Sequence, residues 1–197
     1  MIDERVSLGR SNVINVSRHI ARYNLALSFI EKGKVLDASC GTGYGSFLMS
    51  KVCGSVTGVD ISPEAVLEAK ESFTSSNLSF KQSDMTKLGE YFSDRDNGLL
   101  DFDCVVSFET LEHLENPNLF LNELPKILKP NGLFIYSLPL FEKKGQNQYH
   151  HHTFDVESAR SLVKYPIVSE YIQSGINFYY PYEIDGGGYY FSVRRIV

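Results

Sequence analysis

The sequence lacks several features that mark special classes of protein. Its 197 residues include only three cysteines, Cys40, Cys53 and Cys104, and none of them forms a C-x-x-C pair. This spacing excludes a zinc-ribbon pattern and a disulfide framework, and it favours a reducing, cytoplasmic location. No run reaches the roughly 18 apolar residues of a membrane span, and the polar start MIDERVSLGRSN lacks the apolar core of a signal peptide.

Positive charge is also in short supply. The chain has 19 Lys and Arg residues against 24 Asp and Glu residues, which gives a net charge of −5. Broad nucleic-acid binding depends on basic side chains that neutralise phosphates, so this balance argues against a nucleic-acid partner. With 43% hydrophobic and 22% charged residues, the composition is that of a globular protein, and the length fits one domain.

Strand-like and helix-like segments alternate along the chain. We expect helices that begin at caps Ser17 and Ser62, and a helix from Asn116 that kinks or ends early at Pro125. The predicted strands are KVLDA, SVTGVDI, LSFKQSD, FDCVVSF, GLFIYSLP, VSEYIQSGI and GYYFSVRRI. This alternation predicts an α/β fold with a largely parallel sheet of about seven strands and helices on both faces. Ligands of such sheets bind at the carboxyl ends of the strands.

A glycine-rich loop in VLDASCGTGYGS follows the first predicted strand and leads into a helix. Gly41 and Gly43 allow the main chain to approach a ligand where a Cβ would clash, and the helix N-terminus offers unpaired N–H groups. Asp60, at the end of the second predicted strand, is typical of an acid that accepts hydrogen bonds from ribose hydroxyls. The loop therefore predicts a ligand that contains adenosine.

The acidic residue before the loop helps to choose between adenosine-containing ligands. The dinucleotide fingerprint G-x-G-x-x-G is incomplete, because Ser46 stands where the third glycine belongs. Asp37, at the tip of the first strand, would repel a pyrophosphate but would suit a sulfonium or an ammonium group. These two departures favour S-adenosylmethionine over a nicotinamide dinucleotide.

Five motifs within residues 18–140 together resemble class I S-adenosylmethionine-dependent methyltransferases: VLDASCGTGYGS, VTGVDIS, FKQSDM, FDCVVSFETLEHL and LKPNGLFIYSLP. The resemblance implies a Rossmann-like fold whose last strand pairs antiparallel. It also implies nine cofactor-binding residues, which are Asp37, Ser39, Gly41 and Gly43 at the methionine end, Asp60 at the ribose, Ile61, Asp84 and Met85 at the adenine, and Phe108 beneath the cofactor. Ser39 replaces the usual glycine, and we expect its backbone to serve as well unless the position needs a positive φ.

A second set of polar residues follows the fourth predicted strand, in SFETLEHLENP. Glu109, Glu112 and His113 lie at i, i+3 and i+4 and would share one face of a helix. NQYHHHTFD would bring His150 or His152 to the same rim, and His150 is taken as the fourth residue. These four residues suit a Mg²⁺ or Mn²⁺ ion. The alternatives are a metal-free site, in which His150, His113 or Glu109 is the general base for a hydroxyl, and a purely structural cluster.

The same segments resemble parts of two groups of methyltransferases. The E-x-x-E-H pattern is similar to metal-binding small-RNA 2′-O-methyltransferases and to metal-assisted quinone-biosynthesis O-methyltransferases. HIARYNLALSFI and NQYHHHTFD resemble small methyltransferases that modify glycans or other small molecules, although Gln148 replaces their usual proline. We expect O-methylation of a small molecule or sugar, and the alternatives are metal-assisted RNA 2′-O-methylation and a non-catalytic module that binds the cofactor.

The expected organisation is one methyltransferase domain over residues 1–197, with a helical cap at 1–32 and an acceptor-side insert at 140–165. The expected partner is a small-molecule or glycan acceptor, with no nucleic acid and no membrane span, and a homodimer stays an open alternative. Three tyrosines near the C-terminus would stack on a sugar or pack at a sheet edge or dimer interface: Tyr179, Tyr180 and Tyr182.

Overall fold

The computed structural model describes residues 12–93, 102–143, 145–183 and 187–197. The strands in these ranges are β1 (Lys34–Ala38), β2 (Ser55–Asp60), β3 (Leu78–Gln82), β4 (Phe102–Phe108), β5 (Leu128–Leu140), β6 (Ile167–Ser174), β7 (Asn177–Tyr179) and β8 (Gly188–Arg195). The helices are α1 (Val13–Leu27), α2 (Tyr44–Ser50), α3 (Pro63–Ser72), α4 (Leu88–Ser93), α5 (Pro117–Leu121), α6 (Leu124–Ile127) and α7 (Val156–Leu162). Short 3₁₀ turns cover Met85–Lys87 and Leu111–His113.

The described strands form a single sheet in the order β3-β2-β1-β4-β5-β8-β6-β7. Strands β1 to β5 pair parallel with one another, whereas the pairs β5–β8, β8–β6 and β6–β7 are antiparallel. This confirms the predicted Rossmann-like α/β fold. The sheet has eight strands rather than about seven, because the chain reverses at Gly175, whose φ is +64°, and returns as the short edge strand β7.

Both faces of the parallel half of the sheet are covered, so alternate residues of a central strand enter different cores. Leu36 of β1 packs in the layer under α4 to α7, whereas Val35 packs in the layer under α1 and α2. A smaller cluster under α3 holds Cys40, Val66, Ala69 and Phe80. No helix in the described ranges has the length and apolar character that a membrane crossing requires.

Two local predictions have different outcomes. The predicted cap at Ser17 is wrong, because Asn12 caps α1 and its side chain accepts a hydrogen bond from the Ile14 N–H at 2.8 Å. The expected interruption at Pro125 is confirmed, since α5 stops at Leu121 and the next helix is only four residues long.

The strand order reverses beside β1, which has β2 on one side and β4 on the other, and this is the place where open α/β sheets bind their ligands.

Candidate active site

A cavity of about 1,100 Å³ opens at the carboxyl ends of β1, β2 and β4. It is lined by seven of the nine predicted cofactor residues, namely Ser39, Gly41, Asp60, Ile61, Asp84, Met85 and Phe108. The predicted acceptor-side residues line the same cavity: Glu109, Glu112, His113 and His150. The chain therefore brings both predicted groups of side chains into one space. Asp37 and Gly43 lie outside its lining.

Asp37 lies behind the glycine loop and is fully buried. Its carboxylate accepts hydrogen bonds from the Ser46 hydroxyl at 2.6 Å and from the Tyr23 hydroxyl at 3.3 Å. Burial raises the pKa of Asp37 to about 7, although these two donors oppose the shift. Ser46, which stands at the position of the third glycine, is thus a hydrogen-bond donor to Asp37. The hydrogen bonds among Tyr23, Asp37 and Ser46 connect α1, β1 and α2.

Gly41 and Gly43 of the loop are glycines for different structural reasons. Gly41 has a φ of +53°, and a Cβ added to it would meet no atom of the described chain within 4 Å, so its main chain faces the open cavity. At Gly43, with a φ of +85°, an added Cβ would lie 2.6 Å from the Ala69 Cβ. This glycine therefore lets the loop pack against α3, and its contact with the cofactor stays a prediction.

Ser39 also departs from ordinary backbone geometry. Its φ is +65°, which is the left-handed region that favours glycine. Serine was expected to replace the usual glycine without cost unless this position needs a positive φ, and the position does need one. For a residue with a Cβ this conformation costs about 1–2 kcal/mol.

The carboxyl end of β2 holds an acid in a fixed orientation. Asp60 is only 9% exposed, and its carboxylate accepts from the Gly41 N–H at 2.9 Å and from the Ser62 N–H at 3.0 Å. A carboxylate has about four lone-pair positions, so Asp60 retains acceptor capacity toward the cavity. Ile61, beside it, is 67% exposed and presents an apolar surface at the same rim.

Asp84 follows β3 and lines the same cavity. One of its oxygens accepts from the Thr86 N–H at 2.9 Å and from the Thr86 hydroxyl at 2.7 Å, which fixes the side chain as the cap of a 3₁₀ turn. Met85 is buried beside it. An orientated acid next to apolar side chains is suited to a heteroaromatic ring that carries an amino group.

The E-x-x-E-H segment does not form the predicted helix. Glu109 has a φ of +52°, so the chain leaves β4 through a left-handed residue, and Leu111–His113 form a 3₁₀ turn. Side-chain atoms of Glu112, His113 and His150 nevertheless lie within 4.8 Å of one another, and Glu109 does not belong to that group. Glu109 instead accepts from the Ser137 hydroxyl at 2.6 Å and faces the Arg22 guanidinium at 3.4 Å.

Burial sets the proton affinity of these two acids. It raises the pKa of Glu109, an effect that the nearby Arg22 opposes. It raises the pKa of Glu112 well above its usual range, and repulsion from Glu109 adds to the shift. The Glu112 side chain is fully buried, and neither of its carboxylate oxygens has a hydrogen-bond partner among the described residues.

The two histidines of the cluster pack edge to face, with ring centroids 4.6 Å apart. The His113 Nδ1 lies 3.2 Å from the Tyr149 carbonyl oxygen. The His150 Nδ1 contacts the Glu142 carboxylate, and its Nε2 lies 3.0 Å from the Asn147 amide nitrogen. Neither Glu142 nor Asn147 was predicted as a site residue from the sequence. Their only signal was their position in the same segment, within eight residues of His150.

Arg22 of α1 was also missed on sequence grounds. Its side chain is 0% exposed, and its Cζ lies 4.3 Å from the centre of the Tyr189 ring. Its Nε and Nη2 atoms have no hydrogen-bond partner in the part of the chain that the structure describes. A buried arginine with unpaired donors in a cavity wall is suited to binding an anionic group.

The sequence profile of the methyltransferase domain family matches residues 30–175 of the chain. The chain belongs to this methyltransferase family. It is 36% identical over 107 residues to the mitochondrial ubiquinone biosynthesis O-methyltransferase of Schizosaccharomyces pombe, a match that covers 53% of this chain and 37% of that protein. A ubiquinone biosynthesis O-methyltransferase of Glaesserella parasuis is 31% identical over 104 residues, which is 53% of this chain and 44% of that protein. The matched region thus spans less than half the length of these relatives.

Solved structures support the same fold. The N-methyltransferase NodS of Bradyrhizobium japonicum, in complex with S-adenosylhomocysteine, superposes with a TM-score of 0.70 at 17% identity, covering 98% of this chain and 93% of that chain. A Pyrococcus horikoshii protein superposes with a TM-score of 0.70 at 22% identity, covering 94% of this chain and 92% of the other. The class predicted from the five motifs, an S-adenosylmethionine-dependent methyltransferase of class I, is confirmed.

Two features of the methyltransferase's cavity fit this cofactor. S-adenosylmethionine carries a carboxylate, and the unpaired Nε and Nη2 donors of the buried Arg22 match such a group. Gly41 leaves the main chain open at the loop, where a ligand passes close to backbone atoms.

Proposed function

We propose that this methyltransferase transfers the methyl group of S-adenosylmethionine to a hydroxyl group of a small molecule. The observation that carries the proposal is the juxtaposition, in one cavity, of the adenosine-type residues and an acid–imidazole cluster around His150. The relatives named ubiquinone biosynthesis O-methyltransferase support an oxygen acceptor. A cavity of about 1,100 Å³ that also holds the cofactor leaves room for a small acceptor or one sugar ring.

The residues divide into a cofactor end and an acceptor end. When bound, the cofactor supplies an electrophilic methyl group. Asp60 would hold the ribose hydroxyls through its remaining lone pairs, and Asp84 would accept from the adenine amino group while Ile61 and Met85 pack on the ring. The main chain at Ser39 and Gly41 would lie along the methionine end, and Phe108 would form the floor. Asp37 would act from behind the loop, as a buried acid that favours a cationic ligand.

Acceptor activation is assigned to the imidazole cluster. His150 is the proposed general base, with His113 packed against its ring and Glu109 in the wall of the same cavity. Holding the hydroxyl in line with the methyl group supplies most of the rate enhancement, because orientation converts a bimolecular encounter into an intramolecular step. Removal of the hydroxyl proton by a positioned base adds about 10²–10⁴-fold.

A divalent cation is a second candidate for the same cluster. The observation in its favour is that neither oxygen of the fully buried Glu112 has a hydrogen-bond partner among the described residues. One of these oxygens lies 4.0 Å from the His113 Nε2, and His150 belongs to the same cluster. Carboxylate and imidazole ligands suit Mg²⁺ or Mn²⁺, which would lower the pKa of a bound hydroxyl. Full turnover in excess chelator, with no Mn²⁺ binding by calorimetry, would contradict this role, whereas loss of turnover that Mg²⁺ or Mn²⁺ restores would support it.

The main experiment is methyl transfer from labelled S-adenosylmethionine to a panel of catechols, other phenols and monosaccharides, with amines and a short RNA duplex as contrasting acceptors. We expect label in hydroxyl-bearing small molecules. The net charge of −5 makes RNA the less favoured acceptor. Label in amines or RNA alone would overturn the proposed acceptor class. Binding of S-adenosylhomocysteine without turnover on any acceptor would instead support a non-catalytic module.

The remaining expectations on organisation belong to this proposal. A single domain over 1–197, the cap at 1–32, the insert at 140–165, a cytoplasmic location and a homodimer stay predictions. In the cap, α1 contributes Arg22 to the cavity, and the insert contributes Glu142 and His150.

A further inference from the structure

The side chain of His150 is held from both sides by residues of its own segment. Its Nδ1 is in hydrogen-bond contact with a carboxylate oxygen of Glu142, and its Nε2 lies 3.0 Å from the Asn147 side-chain nitrogen. The His150 side chain is only 9% exposed and that of Glu142 is 23% exposed. All three residues line the cavity that holds the predicted cofactor residues.

The orientation of the Asn147 amide identifies the tautomer of His150. The Asn147 Oδ1 accepts a hydrogen bond from the Tyr149 N–H at 3.0 Å, so the other amide atom, which faces His150, is the NH₂ donor. The His150 Nε2 is then the acceptor. Its proton lies on Nδ1 and is donated to Glu142, because an ionised carboxylate only accepts.

The segment that carries these residues is anchored at both ends. The Phe141 N–H donates to the Phe154 carbonyl at 2.7 Å, beside a bridge between Leu140 and Phe154. The His151 N–H donates to the Glu112 carbonyl at 2.8 Å. Glu142 and His150 are therefore fixed relative to the end of β5 and to the turn that follows β4.

We propose that Glu142 is a positioning residue that holds His150 as its Nδ1–H tautomer with Nε2 directed at the acceptor hydroxyl, and that the Asn147 amide occupies the place of that hydroxyl in the free protein. This inference rests on the proposed function. A carboxylate that orients an imidazole base is a recurring arrangement in catalysis. Here the carboxylate belongs to Glu142, which directly follows the anchored residue Phe141.

The proton step follows from this geometry. The acceptor hydroxyl replaces the Asn147 N–H as the donor to Nε2. The O–H bond then breaks, its electron pair stays on the acceptor oxygen, and a new N–H bond forms at Nε2. The imidazolium carries one positive charge, which the Glu142 carboxylate offsets at Nδ1. Glu142 touches only His150 in this scheme and acts through it.

The first test reads the tautomer directly. Long-range ¹⁵N–¹H NMR of the cofactor-free protein at one neutral pH is expected to show His150 with a protonated Nδ1 and an unprotonated Nε2. In Glu142→Gln, whose amide can also donate, the His150 spectrum is expected to shift toward the Nε2–H tautomer. Glu157→Gln removes the same charge from an exposed site in the same insert and is expected to leave the spectrum unchanged. An Nε2–H tautomer in the wild-type protein would overturn the proposal.

The second test separates positioning from folding. Glu142→Gln is expected to lower kcat about 10- to 100-fold while the affinity for S-adenosylhomocysteine and the unfolding midpoint stay close to those of Glu157→Gln. Asn147→Ala is expected to retain the tautomer and to lower the acceptor KM, because its amide no longer competes for Nε2. A Glu142→Gln enzyme with the kcat of Glu157→Gln would overturn the positioning role. If no hydroxyl acceptor is methylated but the NMR results hold, the proposed function fails and the role of Glu142 on His150 stands.

Discussion

The buried acid behind the glycine loop makes a quantitative prediction about stability and pH. Asp37 is fully buried, and burial raises its pKa from 3.8 to about 7. Between these two values the folded chain keeps a proton that the unfolded chain has lost, so the free energy of unfolding falls by about 1.4 kcal/mol per pH unit. The stability from this group is fully present below pH 3.8 and is lost as the pH rises through about 7. From pH 5 to pH 8 the loss amounts to about 3 kcal/mol.

Asp37→Asn removes this titration and keeps a side chain of the same shape. We expect the unfolding free energy of the wild type, minus that of the variant, to decrease by about 3 kcal/mol between pH 5 and pH 8. The assay is urea denaturation of the cofactor-free protein at several pH values. Asp155→Asn is a matched control, because hydrogen bonds from Ser158 lower the pKa of Asp155 and it does not titrate in this range. A difference between the wild type and Asp37→Asn that stays flat across the range would refute the reasoning.

Three further predictions concern the loop and the cofactor end. Ser39→Gly relieves a positive φ and should raise the free energy of unfolding by about 0.5–1 kcal/mol in urea denaturation; a lower stability would show that the Ser39 side chain makes contacts of its own. Asp60→Ala should lower the affinity for S-adenosylhomocysteine at least about tenfold in calorimetry, because charged hydrogen bonds are worth roughly 1.5–3 kcal/mol. An unchanged affinity would mean that the ribose lies elsewhere. Arg22→Met should weaken S-adenosylhomocysteine but not methylthioadenosine, which lacks the carboxylate, and equal losses for the two ligands would contradict a carboxylate contact.

The sequence predicts that most of the proposed cofactor residues share one cavity, because these residues follow directly from strand ends. Asp60 and Asp84 each come at or just after the carboxyl end of a parallel strand, and parallel strands bring those ends to one edge of the sheet. The sequence alone identified Ser39 as a departure from the usual glycine, but only the structure shows that its φ is positive.

The acceptor end was harder to predict because it depends on contacts between distant segments. The helical interpretation of the E-x-x-E-H pattern was wrong because Glu109 adopts a positive φ, which no spacing rule reveals. The proposed role of Glu142 depends on its contact with His150, and that of Arg22 depends on its burial against the Tyr189 ring. Neither contact can be read from the sequence. Periodicity marks which side chains face a core, but it does not show which buried polar atoms lack a partner.

The most direct test of the account is calorimetric titration of the folded chain with S-adenosylhomocysteine. We expect saturable binding of one ligand per chain, competition by S-adenosylmethionine, and much weaker binding by Asp60→Ala. A folded wild-type protein that binds neither compound would contradict the central claim that the cavity at the ends of β1, β2 and β4 is a methyl-donor site.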